Sequence, residues 1–203
     1  MFFITVMALT LRQRLLKLAY PLLIWAGGKK TKDNSLRNEQ NIHPLTPFYS
    51  LGLTLNSGKD LSFEKLKGKK VMLVNTASDC GYTPQYAELQ KLYQHSNGEL
   101  EIIAIPANDF KEQEKGTDAE IATFCSRNYG VSFPIAKKAI VIKEKDQHPV
   151  FRWLSTKALN GWNEKAPSWN FSKYLVNEDG VLTHYFEPAV SPLSDEVMKA
   201  VHS

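Results

Sequence analysis

The chain has 203 residues, enough for one compact domain with an appendage, and its composition is typical of a globular protein with both helices and strands. Its net charge is +4, but residues 1–45 hold seven of the 25 Lys and Arg and only two of the 21 Asp and Glu. The remaining 18 basic and 19 acidic residues nearly cancel, so the body of the chain has no basic surplus with which to hold nucleic acid. Two cysteines are too few for a zinc site or a disulfide framework.

The first 28 residues differ in character from the rest. Two apolar runs, 2–11 and 18–28, flank the basic residues Arg12, Arg14 and Lys17. Neither run reaches the roughly 18–20 residues that a membrane-spanning helix needs. The segment resembles a secretory signal or signal anchor, a basic helix that lies on a membrane surface, or an extension packed on the domain. The location of the protein is therefore open between cytoplasmic, membrane-tethered and exported.

Residues 29–47 are polar and lack apolar periodicity, which predicts a linker and places the domain at 48–203. The domain opens with a predicted hairpin, whose first strand at 51–55 leads into an Asn-Ser-Gly turn, and a single helical turn follows at 61–66.

A strand–helix–strand unit comes next. The apolar run at 71–74 reads as a buried strand, a helix follows with Thr83 as N-cap and Pro84 at its first position, and a second apolar strand lies at 100–105. This order predicts a right-handed parallel βαβ unit.

In the second half, Thr117 and Glu120 predict a capping box for a helix that ends near residue 127. The elements expected after it are strands at 133–135 and 139–142, a helix at 151–159, hairpin strands at 171–176 and 181–186, and a final helix capped by Ser194. A βαβ unit followed by a helix and a hairpin predicts a thioredoxin-like α/β fold, with a central mixed sheet flanked by helices. The site is then expected at the carboxyl ends of the parallel strands.

Cys80 lies between the first parallel strand and the following helix. Unpaired N–H groups and the helix dipole at this position favour an anion, which predicts a lowered thiol pKa and a nucleophilic thiolate. The alternative is a buried, inert cysteine. Asp79, directly before it, adds a negative charge that opposes thiolate formation.

Three polar side chains fall in loops at the same expected edge of the sheet: Gln113, Trp169 and Asn170. All three are donors without formal charge, which suits a reaction that moves negative charge from sulfur to oxygen. Each also has a structural interpretation, since a Gln in a charged loop is usually solvated, a Trp before a strand is usually core, and an Asn beside it is usually a turn former.

Three sequence blocks resemble the signatures of the glutathione peroxidase family, in the family's order and spacing. They are residues 74–86 (VNTASDCGYTPQY), 106–114 (PANDFKEQE) and 169–176 (WNFSKYLV). The resemblance implies that Cys80 is the peroxidatic cysteine and that Gln113, Trp169 and Asn170 complete a catalytic tetrad. Residues 121–134 resemble the block that carries a resolving cysteine in non-animal members, which assigns that role to Cys125.

The family pattern is not complete. Ala107, Asp109, Lys111 and Lys115 replace the family's usual Cys, Gln, Gly and Pro. These changes leave the tetrad intact but alter the rim of the site, so they bear on substrate preference.

The resemblance implies reduction of hydrogen peroxide and organic hydroperoxides, including lipid hydroperoxides, through a Cys80 sulfenic acid that Cys125 resolves as a disulfide. We expect the helix that carries Cys125 to unwind for this step. Thioredoxin rather than glutathione is the expected reductant, with no prosthetic cofactor or metal, and the short segment 159–169 resembles that of monomeric members. The alternative is a peroxide sensor that passes the disulfide to a client protein.

Overall fold

The computed structural model describes residues 9–28 and 34–203. The helices within them are α1 (Leu11–Gly28), α2 (Gln85–His95), α3 (Asp118–Tyr129), α4 (Pro149–Leu154), α5 (Lys157–Asn160) and α6 (Asp195–His202). The strands are β1 (Ser35–Arg37), β2 (Gly52–Thr54), β3 (Asp60–Ser62), β4 (Lys70–Thr76), β5 (Leu100–Pro106), β6 (Lys173–Val176) and β7 (Leu182–Phe186), with 3-10 turns at Phe48–Ser50 and Phe63–Leu66.

A mixed sheet with the strand order β1-β7-β6-β4-β5 forms the centre of the domain. β4 and β5 pair in parallel, and the other neighbours pair antiparallel. Strands β2 and β3 form a separate antiparallel hairpin. The predicted thioredoxin-like α/β fold, its opening hairpin, its βαβ unit and its second hairpin are confirmed.

Strand β4 is buried on both faces, as its continuous apolar run predicts. Because side chains alternate along a strand, Met72 and Val74 pack in one core cluster with residues of α2, α3 and α6. Val71 and Leu73 pack in a second cluster with residues of the hairpin and α4. Two cores therefore hold the carboxyl end of β4 in place from both sides, and the loop that carries Cys80 begins there.

Of the strands expected at 133–135 and 139–142, the second is absent and the first is present only in part. This stretch makes only isolated bridges, Leu55 with Ala136 and Ala104 with Ile135. The backbone N–H of Val141 donates to a carboxylate oxygen of Asp109 (2.7 Å) instead of to a neighbouring strand. The segment nevertheless runs beside β5 and bonds to it, since the N–H of Ala104 donates to the carbonyl of Pro134 (3.0 Å) and the N–H of Ala136 donates to the carbonyl of Ala104 (2.8 Å).

The single helix expected at 151–159 is two short helices, α4 and α5. The break lies at Ser155, which is buried and whose hydroxyl donates to the carbonyl of Phe151 (2.7 Å). A serine that bonds to the backbone in this way competes with helix continuation. In contrast, the capping box of Thr117 and Glu120 and the N-cap at Ser194 are present as predicted.

Residues 34–47, in the segment predicted as a linker, contain β1, which pairs with β7 at the edge of the sheet. Residues 1–8 and 29–33, parts of the predicted N-terminal segment and linker, lie outside the described residues. Residues 11–28 form helix α1, and its Tyr20 is buried against the domain. Across the described residues, no helix combines the length and apolarity needed to cross a bilayer.

Candidate active site

The Cys80 loop, residues 77–84, joins β4 to α2. Cys80 is buried, with 1% of its surface exposed, and its Sγ accepts a hydrogen bond from the backbone N–H of Tyr82 (3.4 Å). The Thr83 hydroxyl accepts from the N–H of Cys80 (3.0 Å) and donates to the carbonyl of Ala77 (2.9 Å). The hydrogen bonds made by Tyr82 and Thr83 therefore fix the position of the Cys80 sulfur relative to the carboxyl end of β4.

The predicted N-cap at Thr83 is wrong. Helix α2 begins at Gln85, with Pro84 before it and no side-chain cap. The Thr83 hydroxyl does not cap the helix, because it bonds to the backbone of Cys80 and Ala77 within the Cys80 loop.

The side chains of Trp169 and Asn170 act as hydrogen-bond donors toward the Cys80 sulfur and lower its pKa. The Asn170 Nδ2 also donates to the Oε1 of Gln113 (3.0 Å). The structure thus brings Cys80, Trp169 and Asn170 together directly, while Gln113 reaches them through Asn170. The Asn170 Oδ1 is buried and has no hydrogen-bond partner among the residues that the structure describes.

Asn75 in β4, which the sequence analysis does not single out, has a buried side-chain amide. This residue holds the loop that carries Trp169 and Asn170 against the end of β4. Its Nδ2 donates to the carbonyl of Trp169 (3.0 Å), and its Oδ1 accepts from the N–H of Ser172 (3.1 Å). Its own carbonyl accepts from the N–H of Phe171, a residue with the left-handed φ of 69°. The signal in the sequence is a polar residue that directly follows the apolar run at 71–74.

The loop that carries Gln113 is tied to the Cys80 loop by its neighbours. The N–H of Asp79 donates to the carbonyl of Gln113 (3.1 Å). The carboxyl group of Glu114, 1% exposed, accepts from the Ser78 hydroxyl (3.0 Å). Lys111 and Glu112, just before Gln113, both have left-handed φ values of 54° and 52°, which hold the turn in a strained conformation.

The pKa of Cys80 is raised, which corrects the lowered value expected from its position. Burial is the largest cause, because the thiolate would lose its hydration. The bonds from Tyr82, Trp169 and Asn170 lower the pKa, and the charge of Asp79 raises it. Burial therefore favours the neutral thiol of Cys80, while the surrounding donors would stabilise the thiolate.

Asp79 has a partner that the sequence did not indicate. The guanidinium of Arg12 in α1 lies 2.8 Å from its Oδ2, so the carboxylate is partly neutralised by the N-terminal helix.

Cys125 lies within α3 and is fully buried. Burial raises its pKa to about 12, and the Tyr86 hydroxyl beside it acts in the opposite direction. Both cysteines are free thiols and belong to the same core cluster. In this conformation Cys125 is packed in the core as an unreactive thiol.

A cavity of about 350 Å³ opens beside the site, between α1, the Cys80 loop, the Gln113 loop and α3. Its lining includes Arg12, Gln13, Asp79, Gln113, Glu114 and Phe124. No group of three or more His, Cys, Asp or Glu is placed to hold a metal ion within the described part of the chain. A mixed sheet with a buried cysteine, ringed by uncharged donors at the end of β4, defines a thioredoxin-fold protein built for thiol chemistry.

Comparison with known proteins identifies the family. The profile of the family described as glutathione peroxidase matches residues 48–155. The glutathione peroxidase-like peroxiredoxin HYR1 of Saccharomyces cerevisiae is 39% identical over 163 residues, which cover 77% of this chain and 99% of the yeast protein. The glutathione peroxidase homolog BsaA of Bacillus subtilis is 39% identical over 154 residues, 74% of this chain and 96% of that protein.

Among solved structures, the apo form of Trgpx is 28% identical, with a TM-score of 0.59 over 78% of this chain and 97% of that chain. The chain belongs to the glutathione peroxidase family, and it is a thiol peroxidase. The predicted family resemblance is confirmed.

Proposed function

We propose that Cys80 is the peroxidatic cysteine and that Trp169, Asn170 and Gln113 form its catalytic surroundings. The observation that carries this proposal is the convergence of three uncharged donors, from Tyr82, Trp169 and Asn170, on one buried sulfur. Fixed dipoles of this kind stabilise the thiolate before the reaction and the sulfenic acid or leaving oxygen after it.

In the proposed first step, the Cys80 thiolate attacks one oxygen of the hydroperoxide. The S–O bond forms as the O–O bond breaks, the cysteine becomes a sulfenic acid, and the leaving alkoxide or hydroxide takes a proton to give the alcohol or water. Because the raised pKa leaves less thiolate at neutral pH than the few per cent of an ordinary cysteine, the rate must come mainly from stabilising the leaving oxygen.

The buried Asn170 Oδ1 supports this geometry. It is an acceptor without a partner among the described residues, and an unsatisfied buried acceptor costs roughly 1–3 kcal/mol. A hydroxyl of the peroxide, or of the sulfenic acid that replaces it, would satisfy this oxygen. The Nδ2 of Asn170 is thus a donor toward the Cys80 sulfur, and its Oδ1 is an acceptor for the hydroxyl of the peroxide or of the sulfenic acid.

In the proposed second step, Cys125 attacks the Cys80 sulfenic acid, water leaves, and a disulfide forms. A dithiol reductant of the thioredoxin type then returns both cysteines to thiols, so no prosthetic group is needed. Because Cys125 is packed inside α3, this step requires local unwinding of that helix.

The test is steady-state removal of hydrogen peroxide by the full chain, coupled either to thioredoxin and its reductase or to glutathione and its reductase. We expect turnover with thioredoxin, loss of all turnover in Cys80→Ser, and loss of thioredoxin-dependent turnover in Cys125→Ser. One equivalent of peroxide should lower the mass of the wild type by two hydrogens. Undiminished thioredoxin-dependent turnover in Cys125→Ser would show that the resolving role is wrong.

A second candidate, a peroxide sensor, is favoured by the burial of Cys125 and its pKa of about 12. If α3 opens slowly, the Cys80 sulfenic acid persists long enough for a client thiol to attack it with loss of water, so the client is oxidised without the Cys80–Cys125 disulfide that the sequence analysis expected as the relay. A trapped mixed disulfide with a client, together with stoichiometric rather than catalytic peroxide consumption, would support the sensor.

We further propose that the protein acts as a monomer, without nucleic acid, and that residues 1–28 give it access to membranes. The short segment between α5 and Trp169 supports the first point, and the exposed surface of α1 supports the last.

A further inference from the structure

Helix α1 lies directly on the Cys80 loop. The Gln13 Nε2 donates to the carbonyl of Ser78 (3.0 Å), and Arg12 pairs with Asp79. The Leu23 Cδ1 lies 2.9 Å from the position that a Cβ on Gly81 would occupy, so α1 packs closely on the Cys80 loop at this point. One face of α1 therefore packs against the Cys80 loop.

The opposite face of α1 is apolar and exposed. Leu11, Leu15, Leu18 and Leu22 repeat at intervals of four, three and four residues, which places them in one row along the helix. Their exposed fractions are 76%, 58%, 79% and 67%. Single exposed leucines are ordinary on protein surfaces, but a continuous row of four marks a surface that binds something. We call these four residues the leucine row.

The charges beside the leucine row indicate what it binds. The helix carries Arg12, Arg14 and Lys17 and no acidic residue. By helical geometry Arg12 flanks the row on one side, where it also pairs with Asp79 while its side chain stays 64% exposed. Arg14 and Lys17 flank the row on the other side, and the Lys17 ammonium also lies over the Tyr129 ring (5.6 Å). Apolar residues bordered by cations are the arrangement of a helix that lies in the interface of an anionic membrane.

A second copy of the chain fits this surface less well. In a pair of such helices, the cations that border one row would face the cations that border the other, and like charges across a helical seam are unfavourable.

We propose that the leucine row of α1 docks on an anionic lipid bilayer. Because the inner face of the same helix contacts Ser78 and Gly81, docking holds the Cys80 loop about one helix diameter, roughly 10 Å, from the lipid surface. The cavity between α1, the Gln113 loop and α3 then opens beside the bilayer. Hydroperoxides of membrane lipids become the favoured substrates by proximity, a consequence that rests on the proposed peroxidase function.

Vesicle sedimentation tests the docking. The full chain is mixed with vesicles of pure phosphatidylcholine or of phosphatidylcholine with phosphatidylglycerol. We expect binding to the anionic vesicles only, and a loss of about tenfold in the Leu18→Asp variant, since burial of one leucine is worth at least that much. Leu45→Asp is the matched control, because Leu45 is as exposed (78%) but lies outside α1. Unfolding midpoints of both variants check that they are folded.

Equal binding by Leu18→Asp and Leu45→Asp, or no binding by the wild type, would overturn the proposal. So would a dimer in sedimentation velocity that Leu18→Asp abolishes while vesicles bind nothing, since the row would then serve a second copy. The sedimentation is repeated with Cys80→Ser, so that docking is tested even if the peroxidase assignment fails. In active protein, Leu18→Asp should lower the ratio of the rate on vesicle-borne phospholipid hydroperoxide to the rate on hydrogen peroxide.

Discussion

The amide of Asn170 donates to the Oε1 of Gln113 at 3.0 Å and also acts as a donor toward the sulfur of Cys80. In the proposed mechanism Gln113 acts on the sulfur only through Asn170, because its carbonyl oxygen accepts from the Asn170 amide and orients it. This order of contacts predicts unequal effects when the two residues are removed.

Replacing Asn170 by Ala should lower kcat/KM for peroxide by about 10²–10³-fold, the usual loss for one preorganised donor. Gln113→Ala should cost about fivefold, because one orienting hydrogen bond of roughly 1 kcal/mol is lost. The double variant should be no worse than Asn170→Ala alone, since Gln113 then has no amide to orient. Asn56→Ala, in the β2–β3 hairpin, is the control, and strictly additive losses would contradict this order of contacts.

The raised pKa of Cys80 predicts a distinctive pH dependence. In a Cys125→Ser background, the rate of alkylation by iodoacetamide should still be rising at a pH where a free cysteine has levelled off. Asp79→Asn should move the midpoint down, because the carboxylate raises the pKa, and Arg12→Gln should move it up, because the cation that offsets Asp79 is gone. Asp146→Asn, an exposed aspartate elsewhere, is the control. A wild-type midpoint at or below that of free cysteine would refute the assignment.

Glu114 should make the stability of the fold depend on pH. Burial raises its pKa from 4.5 to about 7, so the folded protein holds a proton that the unfolded chain releases. The resulting stability is complete below pH 4.5 and is lost as the pH rises through about 7, a change of about 3 kcal/mol.

Urea denaturation of wild type and Glu114→Gln across this range measures the effect. The difference in unfolding free energy between the two should fall from pH 4.5 to 7 and be level above it. Glu112→Gln, at an exposed position of the same loop, is the matched control. A difference that stays constant across this range would show that Glu114 is ionised in the folded protein.

The end of α3 should set the rate of disulfide formation. Gly130 caps this helix with a φ of 64°, and a Cβ there would meet nothing within 4 Å, so Gly130→Ala adds only backbone strain of about 1 kcal/mol. The strain makes local opening of α3 easier, and the mass shift to the disulfide after peroxide addition should therefore be about fivefold faster.

Gly58→Ala is the matched control for this experiment. Gly58 has a φ of 84° and equally open surroundings but lies in the β2–β3 hairpin, so its strain should leave the disulfide rate unchanged. Quenched-flow mass spectrometry measures both variants. Equal acceleration in the two would show that opening of α3 does not limit the step.

The sequence by itself determined the features that depend on near neighbours in the chain. The apolar run at β4, the capping box of Thr117 and Glu120 and the opening hairpin are all written in spacings of a few residues, and they define the thioredoxin-like order of elements. The three signature blocks identified the family because each is a continuous stretch.

Tertiary structure decided what depends on residues far apart. The clamp of Asn75 on the Trp169 loop spans 94 residues, and the pairing of Arg12 with Asp79 joins the N-terminal helix to the site. The pKa of Cys80 was mispredicted from its position because burial outweighs the local donors, and burial is a property of the whole packed core. Local sequence spacing determines that Cys80 lies between β4 and α2. The groups that surround its sulfur, and so its pKa, depend on the assembled fold.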